Sequence, residues 1–274
     1  MKLYLVGTPI GNLGDFSPRA VEVLQNCDFI AAEDTRVTAK LLHKFDIKTP
    51  MLSYHEHNAR SSEAKILQRL QAGETGALVT DAGMPAISDP GEDLIRMCHA
   101  HHIAVESVPG PTAFATALAL SGMPSGRFCF EGFLSVTKRS RLEHLNSLLD
   151  EPRTMIFYEA PHKLPHTLRD FAAHFGPRPL TIVREITKLY EEVIRTDCVQ
   201  AAEKYAETTL KGEIVLVLAG AEPAQMEPLT LEDAVKLAQK YIAQGETAPE
   251  AAKKAAKESG RRKSEIYTKL TKEG

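Results

Sequence analysis

The chain has 274 residues, 43% of them hydrophobic and 25% charged, and its formal net charge is −3. This length exceeds that of one ordinary domain and predicts two domains with a small appendage. No apolar run is long enough to cross a bilayer and the start of the chain lacks a signal-peptide pattern, so a soluble cytoplasmic protein is expected. The four cysteines occur singly, without a Cys-x-x-Cys pair, which predicts buried thiols rather than disulfides or a zinc site.

The first predicted strand leads into a loop rich in Gly and Pro. Ser17 is the predicted N-cap of the helix that follows, and Pro18 suits its first position. The glycines at 7, 11 and 14 fit neither the dinucleotide fingerprint Gly-x-Gly-x-x-Gly nor the Gly-Lys-Ser/Thr ending of a P-loop. The loop is therefore expected to hold a ligand other than NAD or ATP.

Apolar runs alternate with amphipathic segments over residues 1–121, which predicts βαβ units and a mainly parallel sheet. The predicted strands are Lys2–Val6, Phe29–Ala32, Met51–Tyr54, Ala77–Thr80 and Ala104–Val108. The predicted helices are Pro18–Asn26, Thr35–Phe45, Ala59–Gln71, Glu92–His101 and Thr112–Leu120. A run of Ser, Gly and Pro at residues 121–126 indicates a hinge before the next domain.

A second α/β domain is predicted over residues 122–222. Its predicted strands are Phe128–Gly132, Thr154–Tyr158, Leu180–Arg184, Glu192–Thr196 and Ile214–Leu218. Its predicted helices are Lys138–Leu149, His162–Phe175 and Cys198–Thr208. Too few residues separate the third and fourth of these strands for a helical crossover, so those two are expected to pair as a hairpin.

Residues 228–274 form a predicted basic helical tail. Its helices are expected at Leu231–Ala243, Pro249–Ser259 and Lys263–Leu270, the last two resembling a helix-turn-helix with Gly260 in the turn. From Lys253 to Lys272, eight Lys and Arg stand against two Glu. A basic tail on an acidic body indicates a nucleic-acid contact, with a solvated helical surface as the alternative.

Four loops rich in Gly, Pro or small residues follow strands of the first domain, at residues 7–14, 33–36, 81–91 and 109–113. The carboxyl ends of parallel strands are where such sheets hold ligands, so four such loops on one edge predict a site. The run His55-Glu56-His57 invites a metal hypothesis, but no third ligand follows at a suitable spacing. No metal is therefore expected, and RNA contact is an alternative role for these histidines.

Six blocks of the sequence, taken as a set, resemble the ribosomal RNA small-subunit methyltransferase I family, a branch of the tetrapyrrole methylase superfamily. They occur in the family's order and span about residues 1–220. The blocks are LVGTPIGNLGD at 5–15, AEDTR at 32–36, SYHEHN at 53–58, TDAGMPAISDPG at 80–91, VPGPTAF at 108–114 and FYEAPH at 157–162.

The resemblance implies a fold of two α/β domains that hold S-adenosylmethionine in the cleft between them. It further implies methylation of a cytidine ribose 2′-oxygen in 16S ribosomal RNA of the small subunit, and a homodimer. The residues that match the family's cofactor site are Pro9, Ile10, Gly11, Asp81, Gly83, Met84, Thr112, Ala113, Tyr158 and Glu159. The loop after Asp81 is longer than in tetrapyrrole enzymes, so Ile87 or Ser88 is an alternative contact there.

A ribose hydroxyl is a poor nucleophile and benefits from a base. The ionisable residues expected near the cleft are Glu33, Asp34, Arg36 and Glu185. One carboxylate is expected to accept the hydroxyl proton while Arg36 holds a phosphate, and salt bridges at strand ends are the alternative interpretation. Two other functions stay open, a tetrapyrrole methyltransferase and a ribosome assembly factor without turnover.

Overall fold

The computed structural model describes residues 2–55, 59–208, 210–222 and 229–273. Residues 1–221 form one compact unit and residues 222–274 a second. The first unit contains both predicted α/β domains, one sheet in each. The domain boundary at residue 121 stays a prediction.

The first sheet contains five parallel strands in the order β3-β2-β4-β1-β5, as the alternating pattern predicts. The strands are β1 (Lys2–Val6), β2 (Phe29–Ala32), β3 (Met51–Ser53), β4 (Thr75–Val79) and β5 (Ala104–Val108). The helices are α1 (Pro18–Asn26), α2 (Thr35–Lys44), α3 (Ala59–Gln71), α4 (Glu92–Ala100) and α5 (Ala113–Ser121). Buried clusters on both faces of the sheet pack it against these helices.

Local chemistry explains where these elements begin. Ser17 caps α1 by accepting a hydrogen bond from the backbone N–H of Ala20, and Pro18 occupies the first turn, as predicted. Strand β4 begins two residues before the predicted start because Gly76 pairs with both neighbouring strands. The Phe29 ring lies so close that a Cβ on Gly76 would stand 2.4 Å from its Cζ, so only glycine lets this strand continue.

The second sheet has the order β6-β7-β10-β8-β9. Its strands are β6 (Phe128–Phe133), β7 (Thr154–Glu159), β8 (Pro179–Arg184), β9 (Glu192–Asp197) and β10 (Ile214–Leu218). Its helices are α6 (Lys138–Ser147), α7 (Leu164–Phe175) and α8 (Cys198–Lys204). The predicted hairpin is confirmed, since β8 and β9 pair antiparallel through six residue pairs.

Helix α5 joins the two sheets within the first unit. Its sequence AFATALALS is mostly apolar; Ala117, Leu118 and Ser121 are buried, while Ala115, Thr116 and Ala119 are exposed. Ala117 and Leu118 pack in one buried cluster with side chains of β7, β8 and β10. Arg195 of β9 donates to the carbonyl oxygens of Leu120 (3.2 Å) and Ser121 (3.4 Å) at the end of the helix. The second domain is therefore fixed against the edge where β5 ends.

The second unit is a small helical body, as the tail sequence predicts. It contains α9 (Leu231–Ala243), α10 (Ala248–Ser259) and α11 (Lys263–Glu273). Small residues such as Ala238 and Ala252 let the helices pack closely around the buried Ile266. Gly260 ends α10 in the left-handed region (φ +69°), which fits the predicted turn.

Candidate active site

The loops that follow β1 and β4 are bound to each other at the carboxyl edge of the first sheet. Thr8 and Gly83 exchange two backbone hydrogen bonds, at 2.9 and 3.2 Å. The buried Thr8 hydroxyl donates to the carbonyl oxygen of Thr80 at 3.1 Å. These bonds make a fixed wall out of two segments that the sequence separates by more than 70 residues.

Two glycines bring the loops after β1 and β5 into contact. A Cβ on Gly110 would lie 2.8 Å from the Cα of Gly7, and one on Gly7 would lie 2.6 Å from the Cα of Gly110. Both distances are shorter than real Cβ contacts allow, so neither position accepts a side chain without movement of the backbone. The predicted meeting of Gly-rich loops on one edge is thus achieved by direct packing of backbone on backbone.

A cavity of about 390 Å³ opens beside these loops and is bounded by both α/β domains. Seven of the ten residues predicted to contact the cofactor line it: Ile10, Gly83, Met84, Thr112, Ala113, Tyr158 and Glu159. Ile87 and Ser88, the alternatives in the long loop, line it as well. Its size is within the range of small-molecule sites.

Tyr158 links the second domain to the N-terminus of α5. Its hydroxyl accepts a hydrogen bond from the backbone N–H of Phe114 at 3.2 Å. The ring also contacts Phe130 and Phe133, with centroids 4.9 and 5.4 Å away. Burial raises the pKa of the Tyr158 phenol, so the hydroxyl stays neutral at physiological pH.

The charged side chains that line the described part of the cavity are all acidic. Among the described residues that line it, Asp89, Glu159 and Glu213 are acidic and none is basic. The Glu159 carboxylate is held in place, because it accepts hydrogen bonds from the Ala160 N–H at 2.7 Å and from the Thr167 hydroxyl. Such a cavity favours a cationic ligand and repels phosphates.

Asp89 is the ionisable group that the sequence reasoning did not single out. Burial raises its pKa to about 6, helped by the nearby Glu33 and Asp81 carboxylates and opposed by a hydrogen bond with Thr80. Positive φ angles at Ala86 and Ser88, 65° and 64°, fold the long loop back so that Asp89 reaches the cavity wall. The unusual length of that loop is the only sequence signal that pointed to it.

The remaining predicted cofactor residues, Pro9, Gly11 and Asp81, lie on the other side of the same loops. They line a separate open groove of about 350 Å³, which also includes Lys40 and Lys44 of α2. The Asp81 carboxylate accepts a hydrogen bond from the Asp34 N–H at 3.1 Å. Their predicted role in cofactor binding stays a prediction.

The four predicted catalytic residues are absent from the described lining of the cavity. Glu33 accepts a 2.5 Å hydrogen bond from the Thr80 hydroxyl, at the base of the loop that carries Asp89. Asp34 caps α2 and forms a two-point ion pair with Arg36, at 2.7 and 3.0 Å. This pairing lowers the pKa of Asp34.

Glu185 is likewise engaged, by the Lys188 ammonium at 2.9 Å, and its pKa is lowered for that reason. A carboxylate whose pKa is lowered is a weaker base at neutral pH. The catalytic assignments nevertheless stay predictions. Of the four residues, Glu33 is linked to Asp89 through Thr80, whose side chain hydrogen-bonds with both carboxyl groups.

The metal hypothesis cannot be followed across its whole motif, because Glu56 and His57 lie outside the described residues. In the described part of the chain, no group of three or more His, Cys, Asp or Glu is arranged to hold a metal ion.

Two further sequence predictions concern the membrane and the cysteines. No helix in the described ranges is both long and apolar enough to span a bilayer. Cys27, Cys98 and Cys198 are buried free thiols, as predicted, and Cys129 is half-buried.

Comparison with solved structures agrees with this architecture. A uroporphyrin-III C-methyltransferase from Thermus thermophilus, solved in complex with S-adenosylhomocysteine, superposes with a TM-score of 0.55. The match covers 80% of this chain and 97% of that one at 19% sequence identity, so it shows a shared fold.

Sequence comparison is more specific. The family described as Tetrapyrrole (Corrin/Porphyrin) Methylases matches residues 2–202. The ribosomal RNA small subunit methyltransferase I of Synechocystis sp. is 47% identical over 97% of this chain and 95% of its own. Its counterpart in Thermotoga maritima is 46% identical over 221 residues, 81% of this chain and 99% of its own. The chain therefore belongs to the tetrapyrrole methylase family, alongside the ribosomal RNA small subunit methyltransferase I proteins.

Proposed function

We propose that the protein is an S-adenosylmethionine-dependent methyltransferase that modifies the ribose 2′-hydroxyl of a cytidine in 16S ribosomal RNA. The observation that carries the proposal is the cavity between the two α/β domains, lined by seven residues that the resemblance assigns to the cofactor. The names of the relatives support ribosomal RNA as substrate. A homodimer and a cytoplasmic location belong to the proposal through the same resemblance.

The residues around the cavity fit S-adenosylmethionine. Ile10, Met84 and Ala113 offer apolar surface, while the backbone of Gly83 is open to the cavity. Three carboxylates with no cation among the described lining residues suit a sulfonium and disfavour a nucleotide phosphate. When bound, the cofactor supplies an electrophilic methyl group on a positively charged sulfur.

The protein's own contribution is alignment and proton acceptance. An in-line displacement gains much of its acceleration from fixed geometry, which the hydrogen-bonded loops at Thr8 and Gly83 provide. We assign proton acceptance to Asp89, because it lines the cavity and its pKa of about 6 suits a base at neutral pH. Glu33, Asp34 and Glu185 are the competing candidates, and Arg36 is assigned to a phosphate.

The decisive experiment offers methyl-labelled S-adenosylmethionine with three acceptors: unmodified small subunits, 16S ribosomal RNA alone, and a uroporphyrinogen-type compound. Label is expected in the RNA, with one cytidine linkage becoming resistant to alkaline cleavage. Transfer to the macrocycle would instead establish a tetrapyrrole methyltransferase. Binding to subunits without any transfer would establish an assembly factor.

A further inference from the structure

Helix α2 carries three basic residues one turn apart, which we call the basic stripe: Arg36, Lys40 and Lys44. Residues at i, i+4 and i+8 lie on one side of an α-helix. All three are exposed. At 1.5 Å per residue, the stripe extends for about 12 Å along the helix axis.

The basic stripe borders the candidate active site. Lys40 and Lys44 line the open groove together with Pro9, Gly11 and Asp81. The loop after β1 separates this groove from the cavity, since Ile10 lines the cavity while both of its neighbours line the groove. The groove and the cavity are therefore one loop thickness apart.

The ammonium groups of Lys40 and Lys44 are available to bind a ligand. Lys40 and Lys44 form no ion pair with any residue in the described ranges, whereas Arg36 is held by Asp34. Asp81 is the one acid among the described residues of the groove, and its carboxylate already accepts the Asp34 N–H. A polyanion placed here would meet the two lysine ammonium groups and, one turn nearer the start of α2, the Arg36 guanidinium.

We infer that the basic stripe binds the phosphodiester backbone of the RNA strand that flanks the target nucleotide. The inference rests on the proposed function and identifies where the RNA that accepts the methyl group is bound. An RNA strand carries one phosphate per nucleotide, so a row of three cations about 12 Å long can meet successive phosphates of one strand. The acidic cavity excludes those phosphates, so only the ribose to be modified approaches the methyl group.

The test compares three full-length double variants with the unchanged protein. Lys40→Gln/Lys44→Gln removes both charges, and Lys40→Arg/Lys44→Arg keeps them. Lys65→Gln/Lys204→Gln removes two charges from exposed positions on α3 and α8, outside the described lining of both groove and cavity. Affinity for unmodified small subunits and for 16S ribosomal RNA is measured between about 50 and 200 mM salt.

Removal of the two stripe lysines is expected to reduce the salt slope of log K by about 1.4, since each single-strand phosphate contact contributes about 0.7. The arginine variant and the α3/α8 control are expected to keep the original slope. S-adenosylmethionine affinity should be unchanged in all three, because none of the substituted residues is among the described lining of the cavity, and kcat should be unchanged in the α3/α8 control. A slope in Lys40→Gln/Lys44→Gln equal to that of the control would overturn the inference.

The outcome separates this inference from the proposed function. A reduced slope in a protein that transfers no methyl group would uphold the RNA contact and refute the reaction. Normal methyl transfer with an unreduced slope would refute the contact and uphold the reaction. Thermal unfolding of each variant identifies any loss of affinity that comes from loss of folded protein.

Discussion

The cavity and the groove share two walls but carry opposite charge. The loops after β1 and β4 contribute Ile10 and Gly83 to the cavity, and Pro9 and Asp81 to the groove. On the cavity side the described ionisable side chains are three carboxylates. On the groove side two lysines, which form no ion pair within the described ranges, outnumber one aspartate among the described lining residues.

This contrast explains how one site can handle two substrates of opposite charge. A sulfonium donor is drawn to carboxylates, while an RNA acceptor is drawn to ammonium groups and repelled by carboxylates. On the proposed assignment, the two sets of charges on opposite sides of one hydrogen-bonded wall would keep each substrate in its own compartment. The reaction would then occur only where the ribose reaches past the wall.

The largest expected effect comes from removing the proton acceptor on the cavity side. Asp89→Asn is predicted to lower kcat by about 10²- to 10⁴-fold, the usual contribution of a general base. Binding of S-adenosylmethionine at pH 7.5 should weaken much less. Single-turnover methyl transfer to unmodified small subunits measures the rate, and calorimetry measures the binding.

Matched variants show whether Asp89 is the base. Asp93→Asn on α4 removes an exposed carboxylate that pairs with Arg96, and it should leave kcat unchanged. Glu33→Gln, Asp34→Asn and Glu185→Gln test the residues predicted from sequence. If one of these abolishes transfer while Asp89→Asn stays active, Asp89 is not the base and the assignment of proton acceptance argued above is wrong.

The next largest effect is expected from deleting residues 228–274. The tail carries exposed cations on α10 and just before α11, including Lys253, Lys257 and Arg262. Its loss is predicted to weaken RNA affinity by about tenfold or more at low salt and to flatten the salt dependence. Cofactor affinity should be unchanged, because every described residue that lines the cavity belongs to the first unit. Unaltered RNA affinity would remove the tail from substrate binding.

Most of the fold was predictable because its signals are local. Apolar runs, the cap at Ser17 and the glycine at 260 identify elements without knowledge of the rest of the chain. The short connection before Glu192 sufficed to predict the hairpin. Errors of one to four residues occurred at element ends, as for α8, which stops at Lys204 rather than Thr208. Such ends depend on tertiary contacts that a sequence pattern does not contain.

The site was only partly predictable for the same reason. The Gly and Pro loops indicated which edge of the sheet matters, and seven matched residues line the cavity. Whether a loop residue lies on the cavity side or the groove side depends on its direction. Ile10 differs from Pro9 and Gly11 in this respect although all three belong to one motif. Asp89 was missed because its pKa and position depend on the folded shape of a long loop.

A smaller effect is expected from crowding the wall that separates the two regions. In Gly110→Ala the added Cβ meets the backbone of Gly7 at 2.8 Å, so the loops after β1 and β5 must move apart. We predict a loss of about 1–3 kcal/mol in the free energy of unfolding, measured by denaturant titration, together with weaker cofactor binding. Gly126→Ala is the control, since among the described residues no atom beyond its two chain neighbours lies within 4 Å of the added Cβ. Equal stability of the two variants would show that the wall is adaptable.

The smallest effect is the pH dependence of cofactor binding, and its sign follows from the charge of the cavity. The pKa of Asp89 is about 6 in the folded protein against an ordinary value of 3.8. The contribution of its protonated form to the free energy of folding is thus fully present below pH 3.8 and is lost as pH rises through 6.

A bound cation favours the ionised form of Asp89, so S-adenosylmethionine affinity should rise between pH 5 and 7.5. Over that interval the gain would be about fivefold if binding lowers this pKa by about one unit. Calorimetry at both pH values should show a weaker dependence for S-adenosylhomocysteine, which lacks the sulfonium charge, and none from this group in Asp89→Asn. An equal pH dependence for both ligands would mean that the carboxylates do not recognise the charge of the donor. The difference in charge between cavity and groove would then serve only to keep RNA phosphates out of the cavity.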